Sequence, residues 1–145
     1  MIGLLQRVCQ GRVVINGESI AEIGRGVVVL VGVQKEDTPN KADRLLQRLL
    51  GYRVFPDDQG RMNLSLMDID GGLLLVPQFT LVADTRKGMR PGFSNAADAA
   101  LGERLFHYLT KQAADRCKTT GCGVFGADMQ VELVNDGPVT FWLES

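Results

Sequence analysis

The spacing of apolar residues along the chain predicts a strand-rich fold with two helices. The run GVVVLVGV (residues 26–33) is apolar on both faces, which is typical of a central strand covered on both sides. Residues 12–15 and 19–23 flank Asn16-Gly17, a dipeptide that favours a two-residue hairpin turn. We therefore expect a first strand over residues 1–9, then a hairpin, then a buried central strand.

An amphipathic helix is predicted after the central strand. Thr38 is suited to the N-cap and Pro39 to the first helical position, where a proline leaves no N–H unsatisfied. Gly51 stands where a glycine commonly follows the end of a helix. The apolar residues between them recur at helical spacing and form one stripe for burial: Ala42, Leu45, Leu46, Leu49 and Leu50.

The second half of the chain adds one more helix and several strands. Residues 71–84 are strongly apolar and predict a strand, in which Pro77 must lie at an edge, a bulge or a strand end. Ser94 or Asn95 is expected to cap a helix that runs to about Arg116.

Residues 121–125 are interpreted as a loop, and residues 127–134 and 139–144 as the last two strands. Strands dominate and two helices flank them, without a repeat or a linker. The sequence therefore predicts a single α+β domain over residues 1–145.

Composition and charge narrow the range of partners. The chain has 145 residues, a net charge of −1 and a single histidine. A nearly neutral chain is not a bulk binder of nucleic acid, so any RNA contact must come from a local basic patch or from recognition of an end. The scattered cysteines, Cys9, Cys117 and Cys122, favour a reducing cytosol over a disulfide framework.

Several common kinds of site are missing from the sequence. We expect no signal peptide and no membrane span, because no apolar run approaches about 20 residues. There is no Walker loop, dinucleotide fingerprint or Gly-x-Ser-x-Gly elbow. Cys117 and Cys122 with one histidine do not complete a zinc site. We predict a cytoplasmic protein with no cofactor, metal or membrane partner.

Two segments with little acid–base chemistry are the best candidates for function. In VPQFTL (residues 76–81), a strand interrupted by proline can leave N–H groups facing a pocket, where they suit an oxyanion. In NDGPVT (residues 135–140), Gly137 allows close approach to the backbone and Pro138 fixes the backbone angle φ. Composition alone makes this second segment an ordinary turn.

Together with further segments in the same order and spacing, these two resemble the D-aminoacyl-tRNA deacylases. The likeness includes LLQRV, EIGRGVVVLVGV, GYRVFPDDQGRMNLSL, KGMRPGF and ADMQVELVNDGPVTFWLE. The resemblance implies a hydrolase that cleaves the ester between a D-amino acid and the 3′ end of tRNA. It also implies removal of glycine mischarged on tRNA-Ala, and therefore a role in translation quality control and D-amino acid metabolism.

The resemblance further implies a compact, antiparallel-rich, barrel-like sheet core with two flanking helices. It implies a homodimer that binds the aminoacylated terminal adenosine of tRNA, not DNA, at the subunit interface. A cis Gly137–Pro138 bond would enter the pocket of the other subunit. There its carbonyl oxygens would clash with the side chain of an L-amino acid, whereas a D-amino acid would direct its side chain to solvent.

Residue roles carry over by this resemblance. The residues expected to form the pocket floor and to bind the ester carbonyl and the adenosine are Gln78, Phe79 and Thr80. The chiral wall, its supports and the adenine pocket are assigned to Gly137, Pro138, Asn135, Arg7 and Met129. Two cations of the basic loop, Lys87 and Arg90, are either phosphate contacts or solvated loop residues.

The chain departs from the family pattern at two positions. Pro77 stands where the family commonly has serine, which removes one N–H and one hydroxyl, and Gly92 replaces another frequent serine. A related group that edits L-alanine mischarged on tRNA has proline there, but lacks this phenylalanine and the Gly-Pro-Val-Thr context. The alternatives to a D-specific enzyme are therefore a deacylase of relaxed chirality and a non-catalytic module that binds RNA ends.

Two mechanisms are open at this point. Thr80 could act as a nucleophile, but a threonine hydroxyl needs a neighbouring base, and the adjacent sequence offers none. Alternatively, the 2′-hydroxyl of the terminal adenosine assists attack by water while the N–H groups of Phe79 and Thr80 stabilise the oxyanion. The scarcity of acid–base residues favours the second route.

Overall fold

The computed structural model describes residues 1–145 and contains eight strands, two α-helices and one 3-10 turn. In chain order these are β1 (Ile2–Ile15), β2 (Glu18–Ile23), β3 (Gly26–Gly32), α1 (Pro39–Gly51), β4 (Phe55–Pro56), β5 (Met62–Leu64), β6 (Gly72–Pro77), the 3-10 turn (Phe79–Val82), α2 (Ala99–Ala114), β7 (Thr120–Cys122) and β8 (Gln130–Glu144). No helix is long and apolar enough to cross a membrane.

The sheet is organised on β1. This strand pairs antiparallel with β3 through residues 2–8 and with β2 through residues 11–15, while β8 follows its other side. β3 pairs parallel with β6, and β6 pairs parallel with β7. Because β2 also approaches β6 and β7, the mixed sheet is nearly closed. The predicted α+β fold, with a barrel-like core and two helices, is confirmed.

Local chemistry explains the elements that were predicted correctly. Asn16 and Gly17 have φ angles of 51° and 84°, so both adopt the left-handed conformation that a tight hairpin between β1 and β2 requires. Thr38 accepts a hydrogen bond from the Lys41 N–H at 3.4 Å, and Pro39 is the first residue of α1. Every residue of the predicted stripe on α1 is buried.

The apolar residues form two cores. The larger core lies between the sheet and the helices and includes Leu45, Leu73 and Leu105. The smaller core lies on the inner side of the nearly closed sheet. Its buried residues include Val8, Val28, Leu74 and Val76. β3 and β6 are therefore covered on both faces, as the apolar run over residues 26–33 predicted.

The start of α2 was predicted wrongly. Asp98, not Ser94 or Asn95, caps this helix, and its carboxylate accepts from the Leu101 N–H at 2.8 Å. Ser94 and Asn95 instead lie in a turn closed by Ala96 N–H and Phe93 O. The next residues pair with the segment that follows β3, because Lys35 N–H donates to Asn95 O and Ala97 N–H donates to Val33 O, both at 3.0 Å.

Other boundaries also differ from the prediction. The strand expected over residues 71–84 ends at Pro77 and is followed by the 3-10 turn. β7 includes the first two residues of the loop expected at residues 121–125, and the last two predicted strands are one strand, β8. Gly51 is the last residue of α1 rather than the residue after it, and Tyr52 is the C-cap.

A close approach of two strands generates a prediction about stability. A Cβ at Gly26 would overlap the backbone of Gly72 on the neighbouring strand, whereas a Cβ at Gly24 would meet nothing within 4 Å. We expect Gly26→Ala to lower the free energy of unfolding by at least about 2 kcal/mol, because the β3–β6 pair must separate to accept a methyl group.

The matched control is Gly24→Ala, which should change this free energy by less than about 0.5 kcal/mol. Urea unfolding of both variants measures the difference. Equal stability of the two variants would contradict the close approach.

Candidate active site

The predicted pocket-floor residues lie where β6 turns away from the sheet. Gln78 N–H donates to Val31 O at 2.7 Å, and the chain then enters the 3-10 turn. The turn packs on Gly32, where an added Cβ would lie 3.0 Å from the Val82 side chain and 3.1 Å from the Leu81 side chain. A glycine in β3 therefore leaves the space that the turn occupies.

The turn presents two N–H groups that it cannot satisfy itself. Phe79 and Thr80 are its first two residues, so their N–H groups have no acceptor within the turn. Both residues are exposed, with Phe79 at 60%. His107 is exposed on α2 and does not line the pocket beside this turn. The geometry therefore offers oxyanion donors next to Thr80 without a histidine base.

A pocket of about 760 Å³ opens beside the turn, a volume within the usual range for ligand sites. Its walls are mostly apolar and include no lysine or arginine; its polar side chains are Gln78, Asp98 and Asp128. The residues that line it from β6, the turn and the segment before β8 include Pro77, Phe79, Phe125 and Met129. Such a cavity suits a flat, uncharged group better than a phosphate.

Met129 and Phe125 form the far wall of this pocket. The Met129 sulfur accepts from the Val124 N–H at 3.3 Å, and a Cβ at Gly123 would lie 2.8 Å from the same sulfur. Phe125 stands near Phe106 of α2, with ring centroids 6.5 Å apart. Sequence reasoning did not identify Phe125; an aromatic residue next to Gly126, four residues before Met129, was the available signal.

The Gly137–Pro138 segment lies in an interruption of the β1–β8 ladder. Gln6 pairs with Thr140 and Val8 with Asn135, so residues 136–139 stand opposite Arg7 alone. The Gly137–Pro138 peptide bond is cis, and both residues are exposed in the single chain. The extra residues project this segment outward from an edge strand.

The side chains of Arg7 and Asn135 form hydrogen bonds with the backbone groups in and beside this projecting segment. Arg7, whose side chain is 12% exposed, donates from Nε to Asp136 O at 2.9 Å and from a terminal nitrogen to Val54 O at 2.6 Å. The Asn135 amide donates to Arg7 O and Val139 O at 2.9 and 3.1 Å, and accepts from Val139 N–H at 3.3 Å. The segment is therefore exposed to solvent, while these hydrogen bonds fix its backbone.

The basic loop over residues 85–93 is closed by backbone hydrogen bonds. Asp84 and Gly92 exchange both of their N–H and carbonyl groups, at 2.7 and 3.0 Å. Arg86 binds the Asp84 carboxylate through two nitrogens, each at 2.8 Å, and these bonds hold the pKa of Asp84 far below its usual value. Lys87 and Arg90 are exposed and form no ion pair, so they carry the free positive charge of this loop.

Comparison of the chain with sequence models of protein families identifies the family to which it belongs. The model described as D-Tyr-tRNA(Tyr) deacylase matches residues 4–144. The chain belongs to the D-Tyr-tRNA(Tyr) deacylase family. Membership places it among hydrolases that act on a carboxylic ester bond.

Similar proteins support the assignment to this deacylase family. The D-aminoacyl-tRNA deacylase of Stutzerimonas stutzeri (strain A1501) is 60% identical over 145 residues, which cover 100% of both chains. That of Pseudomonas putida (strain W619) is 61% identical over 144 residues, which cover 99% of both chains.

Two solved structures share the fold. A protein titled c-Myc DNA Unwinding Element Binding Protein superposes with a TM-score of 0.95 at 38% identity, covering 100% of this chain and 99% of its own. A probable eukaryotic D-amino acid tRNA deacylase superposes with a TM-score of 0.79 at 20% identity, covering 99% and 98%. The second likeness concerns the fold alone.

In this deacylase-family chain, the predicted site residues form three separate groups. Gln78, Phe79 and Met129 line the pocket, and Thr80 follows them on the turn. The second group is the projecting segment with its supports: Arg7, Asn135, Gly137 and Pro138. Lys87 and Arg90 lie apart on the basic loop. Within one chain, the second group does not line the pocket.

Proposed function

We propose that this chain, acting in the cytoplasm as a homodimer, hydrolyses the ester bond between a D-amino acid and the terminal adenosine of tRNA. Membership of the deacylase family supports the reaction, and the observation that carries it to a site is the pair of free N–H groups beside an apolar pocket. The adenine ring lies against Phe125 and Met129, where the pocket is apolar and free of cations.

The N–H groups of Phe79 and Thr80 receive the negative charge that develops on the ester oxygen. Preorganised backbone donors of this kind contribute about 3–4 kcal/mol each to stabilising the transition state. No group of three or more histidine, cysteine or carboxylate side chains is placed to hold a metal ion. The turn itself therefore supplies the electrostatic stabilisation in this proposal.

The chiral wall comes from the other subunit. The first part of β8 lines the pocket of its own chain through Val131 and Leu133, but Gly137 and Pro138 do not. The projecting segment of one chain therefore does not form a wall of that chain's own pocket. In a dimer, the exposed segment of each chain enters the pocket of its partner, and its carbonyl oxygens reject an L side chain by steric clash.

A surface for this dimer is available beside the pocket. Trp142, Leu4 and Leu30 are direct cross-strand partners on β8, β1 and β3, so their side chains form one apolar row. Trp142 at the edge is 50% exposed, and Leu30 and Val76 line the pocket. The second copy is proposed to lie on this row, with its projecting segment at the pocket mouth.

A charge placed in the apolar row tests the dimer. We expect Trp142→Arg to convert the protein to a monomer and to abolish deacylation, because the burial of this row would then require burial of an unpaired cation. Light scattering after size exclusion gives the mass, and circular dichroism confirms folding. Ile20→Arg, at a position 42% exposed on β2, serves as the control. A folded Trp142→Arg monomer with full activity would contradict the cross-subunit site.

The substrate assay compares the two enantiomers directly. We expect release of amino acid from D-tyrosyl-tRNA and from glycyl-tRNA-Ala, and at least about a hundredfold lower kcat/KM for L-tyrosyl-tRNA, since a fixed backbone cannot yield to the L side chain as a flexible side chain would. Glycine has no side chain to meet the wall. Similar rates for D- and L-tyrosyl-tRNA would indicate relaxed chirality, and tRNA binding without hydrolysis would indicate a binding module.

A change in the enzyme and a change in the substrate distinguish the two possible nucleophiles, Thr80 and water. We expect Thr80→Ala to keep kcat within about tenfold of the parent, because its N–H remains in place, and a tRNA ending in 2′-deoxyadenosine to lose activity by at least about a hundredfold. That tRNA carries its amino acid on the 3′-oxygen, and its binding is checked by competition with D-tyrosyl-tRNA that ends in adenosine. Complete loss in folded Thr80→Ala, with normal turnover of the deoxy substrate, would instead make Thr80 the nucleophile.

Lys87 and Arg90 complete the proposed interface. They lie on a closed loop and their charges are free, so they are suited to phosphates of the acceptor end. Because the pocket itself has no lysine or arginine, the cations available to the negatively charged backbone of the RNA are those of this loop.

A further inference from the structure

Two exposed aromatic rings form a step at the mouth of the pocket. Phe79 and Phe93 have ring centroids 5.2 Å apart, with planes inclined at 49°. They are 60% and 39% exposed, so neither ring is needed to fill the core. Phe79 also lines the pocket, whereas Phe93 does not. The step therefore leads from the pocket to the outside, and Phe93 is its outer part.

The step leads on to the free cations of the basic loop. Phe93 follows Gly92, which is fixed to Asp84 by two backbone hydrogen bonds, and it ends the loop that carries Lys87 and Arg90. Pocket, aromatic step and positive charge thus follow one another along the surface. Aromatic faces beside a basic track are the usual means of binding a single strand without reading its sequence.

We infer that Phe93 stacks the base of the nucleotide that precedes the terminal adenosine, and that this contact binds the 3′ end of tRNA but takes no part in the chemistry. The inference rests on the proposed function, since it assumes that the terminal adenosine occupies the pocket. A strand whose last base is in the pocket must pass Phe79 to leave it, and the next exposed apolar surface is the Phe93 ring. Its phosphates then reach the cations of the loop.

Comparison of a long and a short substrate separates this role from the chemistry. For D-tyrosyl-tRNA, we expect Phe93→Ala to raise KM by at least about fivefold, the loss expected for one base–aromatic stack, with little change in kcat. For D-tyrosyl-adenosine, which lacks the preceding nucleotide, kcat/KM should be unchanged. Phe93→Trp should restore the tRNA value, because it supplies a ring, and Met62→Ala, at an exposed residue of β5, should have no effect.

A binding measurement tests the stacking contact of Phe93 independently of catalysis. An uncharged RNA hairpin with the acceptor end of tRNA, carrying 2-aminopurine in place of the penultimate base, should lose fluorescence on the parent protein and much less on Phe93→Ala. Equal losses of kcat/KM on both substrates would overturn the inference, because Phe93 would then only support Phe79. An unaltered KM for the tRNA, or no quenching on the parent, would also overturn it.

Failure of the proposed function gives a different result. If the parent protein hydrolyses neither D-tyrosyl-tRNA nor D-tyrosyl-adenosine, the proposed reaction is wrong, and the fluorescence measurement still decides whether Phe93 stacks a base.

Discussion

The arrangement of the site depends on one mismatch in the pairing of β1 with β8. The register also shifts by one residue at Cys9, but at Arg7 four residues of β8 stand opposite a single residue of β1. Unpaired backbone groups are costly unless other partners replace the ladder. The Arg7 guanidinium and the Asn135 amide provide those partners, so the segment that carries Gly137 and Pro138 projects from the sheet without losing its order.

The mismatch also decides where this segment can act. β8 is an edge strand whose first residues line the pocket, but Gly137 and Pro138 lie further along it and do not line the pocket. A single chain therefore holds the pocket and the projecting segment on different parts of its surface. Under the proposed function, association completes the site, and the apolar row from Trp142 to Leu30 supplies a surface for association next to the pocket.

The sequence predicted the elements that are set by neighbouring residues. The Asn16-Gly17 turn, the Thr38 cap and the buried stripe of α1 all follow from chemistry within a few positions. The start of α2 was missed because residues 95–97 pair with residues 33–35, which are distant in sequence. For the same reason, periodicity could not show that Phe125 shares a pocket with Gln78, or that Phe93 contacts Phe79.

Only the resemblance to a known family indicated which of the site residues act together. No pattern in NDGPVT alone separates a turn from a projecting wall, since both use a glycine and a proline between apolar runs. What separates them is the partner strand. Arg7 is 129 positions away from Asp136, and its hydrogen bond to that carbonyl is a property of the folded sheet.

Pro77 stands where the family commonly has serine, and its position shows whether a side-chain change near the pocket affects the groups that are proposed to act. Gln78 directs its N–H to β3, so the nitrogen of Pro77 faces the side of β7, where Gly123 N–H still donates to Leu75 O at 2.8 Å. The missing N–H therefore ends the β6–β7 ladder at this point, whereas the bond from Gln78 to Val31 still places the turn. The proposed oxyanion donors and the proposed chiral wall are all backbone groups, which Pro77 does not replace. Its ring borders the pocket, so the effect of this proline falls on how the adenosine and the ester are held.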